Sequence, residues 1–191
     1  WVLNQACMFC AKQQQNGNSE LSIAVNLSFA QFKDGNLPQI VKGALETSQL
    51  APEHLELELT ESILADDNGN VIQQLEQIKS LGVTFAIDDF GTGYSNLNYL
   101  RTFSAQKLKI DRIFINTLGF DEKDVPLVTA IISIAESLGM ATVAEGIENE
   151  AALKKITEMG CDIGQGYYWS KPVPAEQIER LIEAQSPTNQ R

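Results

Sequence analysis

Short apolar runs alternate with longer stretches of helical periodicity along most of the chain. Leu21-Ser22-Ile23-Ala24-Val25-Asn26-Leu27 predicts a strand, followed by a helix over about Leu37–Ser48. A second strand at Leu55–Leu59 leads to a helix near Val71–Leu81. The third, Val83–Ile87, runs into a glycine-rich turn and a short helical stretch around Asn96–Leu100. Lys107–Ile110 and Met140–Ala144 predict two more strands, with helices over Val125–Leu138 and Glu150–Glu158 behind them. Cys161–Gly164 is a weak sixth strand, and Ala175–Ala184 predicts a closing helix.

Gly82, Gly139 and Gly160 each stand between a predicted helix and the next strand, where a helix end favours the left-handed conformation. This recurrence predicts repeated βα units and a parallel sheet. The fold class is therefore α/β, a TIM-like (βα) barrel of six βα units with its N-terminal strands missing. Six units fall short of the eight that close such a barrel. The initial helix, about Trp1–Gln15, also lacks the strand that barrel order places before it. An open doubly wound sheet of six strands is the alternative. The expected organisation is one domain over residues 1–184 and a tail or linker over 185–191.

Composition narrows the function classes. A net charge of −11 argues against binding of DNA or RNA, which relies on clustered Lys and Arg. It leaves a phosphate substrate open, because bound divalent cations invert the local field. No apolar run reaches the length of a membrane-spanning helix, and three cysteines form no disulfide framework. The expected compartment is the cytoplasm, with any membrane anchor lying upstream in a longer parent. The chain begins at Trp1 rather than Met, which suggests a piece of something longer.

The chemistry concentrates at strand ends. Asn26, Glu58, Asp88, Asp89, Lys109, Glu145 and Gln165 fall at or just beyond successive predicted strands, and in a barrel those ends open onto one face. Adjacent acids at the end of a buried strand are costly without a positive partner. Oxygen donors of this kind suit a hard cation, Mg²⁺ or Mn²⁺, and His54, the single histidine, cannot build a His-rich zinc site. An Asp pair can bridge the two ions of phosphoryl chemistry. Lys109 then positions a water or neutralises transition-state charge. Each residue taken singly has a plainer reading: a helix cap, a solvated loop acid, an exposed strand lysine. The Cys7-x-x-Cys10 pair, inside a predicted helix, reads as core packing. Tyr167-Tyr168-Trp169 suits either a guanine stack or a rim of buried aromatics.

Several runs closely resemble those of EAL domains. They are Ala24-Val25-Asn26-Leu27-Ser28, Glu58-Leu59-Thr60-Glu61-Ser62 and Asp88-Asp89-Phe90-Gly91-Thr92-Gly93-Tyr94-Ser95. Leu108-Lys109-Ile110-Asp111-Arg112, Ala144-Glu145-Gly146-Ile147-Glu148, Gly160-Cys161-Asp162 and Gln165-Gly166-Tyr167 follow in the family's order. The resemblance implies a barrel phosphodiesterase that cuts cyclic di-GMP to the linear dinucleotide pGpG by a two-metal mechanism with Mg²⁺ or Mn²⁺. It implies Asn26, Glu58, Asp88, Asp89 and Glu145 as metal ligands and Lys109 as the residue orienting the attacking water. Gln165 and Glu148 would support the site, and Glu61 would hold the glycine turn after Asp89. Asp111 and Arg112 would lie near the nucleotide. A homodimer through the loop after Asp89, and an N-terminal sensory or GGDEF domain in the parent, are the implied partners.

One departure is large: no Glu-Ala-Leu tripeptide, the family's eponym and a metal-ligating site, occurs in the chain. Trp1-Val2-Leu3 resembles the helix that follows that strand, so the missing glutamate is expected upstream. The expectation is an active parent and an impaired fragment. The alternatives are a catalytically silent cyclic di-GMP receptor and a protein-interaction module.

Overall fold

The computed structural model describes residues 1–64, 69–92, 100, 103–118 and 120–185. In chain order come α1 (Val2–Gln15), β1 (Ile23–Leu27), α2 (Leu37–Ser48), β2 (Leu55–Thr60), α3 (Glu61–Leu64), α4 (Gly69–Lys79) and β3 (Thr84–Phe90). There follow β4 (Lys107–Ile110), α5 (Arg112–Ile115), α6 (Val125–Ser137), β5 (Ala141–Ala144), α7 (Glu150–Glu158), β6 (Ile163–Gly164) and α8 (Ala175–Gln185).

The strands form one parallel sheet in the order β1-β2-β3-β4-β5-β6. A doubly wound sheet reverses its order at a switch point, and this one never does. With right-handed crossovers, an unreversed order lays every connecting helix on the same face. The sheet therefore has a helix-covered side and an inner side, as the barrel expectation required.

Strand periodicity divides the residues between those sides. Leu55, Leu57 and Leu59 of β2 are fully buried, as are Phe85 and Ile87 of β3 and Leu108 and Ile110 of β4. They join Val41, Leu75, Ile78, Val128 and Ile131 from the helices in one core. Burying each such side chain contributes about 1.5–3 kcal/mol, so this layer holds the sheet in place. The intervening positions Glu56, Glu58, Lys107 and Lys109 carry charge and are nonetheless buried or half-buried. Gly82, Gly139 and Gly160 adopt φ of +96°, +70° and +86°, the left-handed turn expected of them.

The structure shifts some boundaries. β3 continues through both aspartates to Phe90, where sequence periodicity ended it at Ile87, because a register shift between Ile87 and Phe90 lets the strand go on past the charged pair. The final helix takes in Gln185, assigned by sequence to the tail. Residues 186–191 lie outside the described residues, and so does the stretch expected to be helical around Asn96–Leu100, except for the buried Leu100. Among the described residues no helix is long and apolar enough to cross a membrane.

Candidate active site

The inner side of the sheet brings together the charges that the sequence spaces two apart. Lys109 Nζ lies 2.8 Å from Glu58 Oε2, 3.1 Å from Asp88 Oδ1 and 2.8 Å from Glu145 Oε1. Its side chain is 5% exposed, so β2, β3 and the end of β5 each bring a carboxylate onto one buried ammonium. One step toward the strands' N-terminal ends, Lys107 Nζ meets Glu56 at 2.9 Å and 3.2 Å from its two oxygens. Both pairs reach from β2 to β4 across β3. The crossing is possible because Ala86, fully buried, stands between Glu58 and Lys107 in register and projects only a methyl group.

Adjacent strand residues normally point to opposite faces, and a bulge changes that for the aspartates. Asp88 pairs in register with Thr60, while Asp89 has φ +54°, a left-handed conformation that Asp tolerates better than most residues. The Asp89 N–H donates to Asp88 Oδ1 at 3.0 Å, and the Thr92 hydroxyl donates to the Asp89 carbonyl at 2.8 Å. Carboxylate oxygens of Asp88, Asp89 and Glu145 consequently lie within 4.8 Å of one another. This donor set, all oxygen and net negative, fits a hard divalent cation.

The electrostatics are those of a crowded acid site. Burial raises the Glu145 pKa, and the Lys109 hydrogen bond and charge oppose the rise. Asp89 is raised by burial, by a hydrogen bond with Asp111 and by the Asp88 charge. Burial alone would lower Lys109, but its hydrogen bonds to Glu145 and Glu58 and their charges outweigh that, and its pKa ends above the ordinary lysine range.

The other expected site residues stand around this ring rather than in it. Asn26 is level with Glu58 but exposed, on the edge strand β1. Glu61, buried at the start of α3, accepts the Gly91 N–H on Oε2 at 3.4 Å; its Oε1 is buried with no hydrogen-bond partner among the described residues. Asp111 caps α5 by accepting the Ile113 N–H at 2.7 Å. Arg112 and Glu148 are exposed. Gln165, also exposed, continues the ladder by donating its backbone N–H to the Ala144 carbonyl at 2.9 Å. It lines a cleft of about 520 Å³ with Tyr167, Trp169 and Lys171. Residues 93–95 of the Asp89–Ser95 loop, expected to mediate dimerisation, lie outside the described residues.

Sequence reasoning missed the pair Glu56–Lys107. The signal was present: Glu56 stands two before Glu58 and Lys107 two before Lys109, and strand periodicity puts both on the site's face. It gave no role to Asp162 of the Gly160-Cys161-Asp162 run, whose Oδ2 accepts the N–H and the hydroxyl of Thr142, each at 2.8 Å, tying the start of β5 to the approach to β6.

The family model for the EAL domain matches residues 1–172. The bifunctional diguanylate cyclase/cyclic di-GMP phosphodiesterase MucR of Pseudomonas aeruginosa is 44% identical over 93% of this chain and 26% of its own length. The cyclic di-GMP phosphodiesterase NbdA of the same organism is 39% identical over 96% of this chain and 24% of its own. The chain thus spans about a quarter of the length of these curated relatives. Among solved structures, the MucR phosphodiesterase in complex with c-di-GMP superposes with a TM-score of 0.88 at 44% identity, covering 93% of this chain and 72% of that one. The EAL domain of Mycobacterium smegmatis DcpA gives 0.90 at 34% identity, covering 96% and 83%.

Proposed function

Because this chain belongs to the EAL domain family, we propose that it is the catalytic part of a phosphodiesterase that hydrolyses cyclic di-GMP to pGpG with Mg²⁺ or Mn²⁺. The observation that carries the reading is the convergence of Glu58, Asp88 and Glu145, from separate strands, on the buried Lys109. No architectural need explains three acids turned inward on one cation, since apolar residues of similar volume pack such a space as well or better.

In this reading Glu58, Asp88, Asp89 and Glu145 hold the divalent cations, and the Asn26 side chain, level with Glu58, adds an amide oxygen. When bound, such cations polarise the phosphodiester and make water a nucleophile at neutral pH. Lys109 stays protonated, in keeping with its raised pKa, so it donates hydrogen bonds that orient the attacking water and offset the negative charge gathering on the phosphoryl oxygens. The bulge sets Asp88 and Asp89 side by side, and Glu61 steadies the turn that follows by accepting from Gly91. Gln165 and Glu148 line the mouth of the site, and Asp111 and Arg112 approach the nucleotide. Homodimerisation through the loop after Asp89, a sensory or GGDEF domain in the longer protein, and action in the cytoplasm belong to the same proposal.

The test is incubation with cyclic di-GMP and Mn²⁺, with the linear dinucleotide resolved by ion-exchange chromatography. Product that disappears in Asp88→Asn is the expected result. Binding of cyclic di-GMP without product leaves an impaired enzyme or a receptor, and adding a Glu-Ala-Leu strand upstream separates them, since only the enzyme regains turnover; neither binding nor turnover refutes the nucleotide reading altogether.

A further inference from the structure

Glu58 stands between two lysines of the same strand. In register it is level with Ala86, and Ala86 is level with Lys107, so the lysine directly across β3 from Glu58 is Lys107. The ion pairs do not follow that register. Each lysine reaches one step back toward the N-terminal end of the sheet, Lys109 to Glu58 at 2.8 Å and Lys107 to Glu56 at 2.9 Å. Lys107 is held by both oxygens of Glu56, the longer contact being 3.2 Å. The Glu56 side chain is 10% exposed, so it has little water to turn to, whereas Lys107 at 30% has a partly solvated course.

We propose that Glu56 is a positioning residue: by holding Lys107 it keeps that ammonium off Glu58 and leaves Glu58 to Lys109 and the divalent cation. This inference rests on the metal-dependent reading of the site above. Without the Glu56 charge, the carboxylate that stands in register with Lys107 across the Ala86 methyl group is Glu58, which Lys107 would then share with Lys109. A lysine parked on Glu58 competes with the divalent cation for the same oxygen and adds positive charge beside Lys109. The two buried layers are thus one arrangement, in which the lower pair sets the partner of the upper.

The experiment compares the native chain with Glu56→Gln, Lys107→Gln and the double variant, titrating Mn²⁺ alone by electron paramagnetic resonance. Glu56→Gln is expected to weaken Mn²⁺ binding by about 5-fold, the size of coupling seen between contacting charges. Adding Lys107→Gln removes the competitor and restores affinity to within about 2-fold, since the surviving amides still pair. Unchanged binding in Glu56→Gln overturns the proposal. So does a double variant as weak as Glu56→Gln, because damage from mere loss of packing is not repaired by a second loss. A native chain that binds no Mn²⁺ sinks the metal reading. In that case the crystal structure of metal-free Glu56→Gln still decides the positioning claim: Lys107 on Glu58 upholds it, and Lys107 turned to solvent overturns it.

Discussion

Replacing Lys109 by methionine keeps most of the side-chain volume and removes the ammonium on which Glu58, Asp88 and Glu145 converge. At an effective dielectric of about 20, each contact of about 3 Å carries roughly 5–6 kcal/mol of Coulomb attraction. Desolvating four charged groups cancels most of that sum. The acids left behind decide the outcome, since their side chains are only 10%, 12% and 18% exposed. Stranding buried charge in this way costs about 3–5 kcal/mol, or roughly 10 °C in the midpoint of a domain this size. The pH dependence has a definite sign. Lacking the lysine, the native state gains by taking up protons, beginning with Glu145, whose pKa burial already raises. The variant's native state then binds more protons than its unfolded state, so its stability climbs as pH falls. Urea unfolding followed by circular dichroism, in EDTA at pH 8 and at pH 5, measures both effects. A loss under about 1 kcal/mol at pH 8, the worth of an exposed pair, refutes the argument, as does an equal loss at both pH values.

Three further outcomes follow from other parts of the fold. In Gly166→Ala the new Cβ meets the backbone N and O of Ile147, which no rotamer change relieves; unfolding should show a loss of about 1–3 kcal/mol, with the Gln165 ladder bond weakened. Thiol titration of the native protein should find Cys161 reactive and Cys7 and Cys10 silent. Those two are fully buried, with Cys7 pushed up to about 11 by burial and by Cys10, so they should react only after unfolding. Hydrogen bonds from the N–H and hydroxyl of Thr142 lower the Asp162 pKa, so its contribution is present above the unfolded value of 3.8 and lost as pH falls through the folded one. Asp162→Ala should therefore cost about 1 kcal/mol at pH 7, its exposed position keeping the figure low, and nothing in acid.

The fold was largely legible because each βα unit carries its own signal. Apolar runs such as Leu55–Leu59 and helix-ending glycines such as Gly82 are local features, and parallel order follows from their alternation. What was not legible depends on contacts far apart in sequence. The 3-10 turn at Phe29–Phe32 and the short helices α3 and α5 are too brief to show a period. The extension of β3 to Phe90 rests on a register shift against β4, which no local pattern announces.

The candidate site divides the same way. Acids at strand ends pointed to a shared face, and the structure brings Glu58, Asp88 and Glu145 together around Lys109. The exposed positions of Arg112, Glu148 and Gln165 were not readable, because the path of a loop beyond a strand is set by what it packs against. Glu56 and Lys107 were overlooked for a different reason. A charged residue inside a strand reads as solvent-facing when the sheet is imagined with one wet side. In a sheet that coils around its own interior both sides are enclosed, and a charge on the inner side needs a partner there. Glu56 finds Lys107 and Glu58 finds Lys109 only because Ala86 leaves room between them. The small residue on the middle strand is therefore as much a determinant of the site as the acids. A bulkier residue at position 86 would obstruct the reach of Lys107 and Lys109 to the β2 acids, leaving Lys109 to Asp88 and Glu145 and Lys107 without its partner.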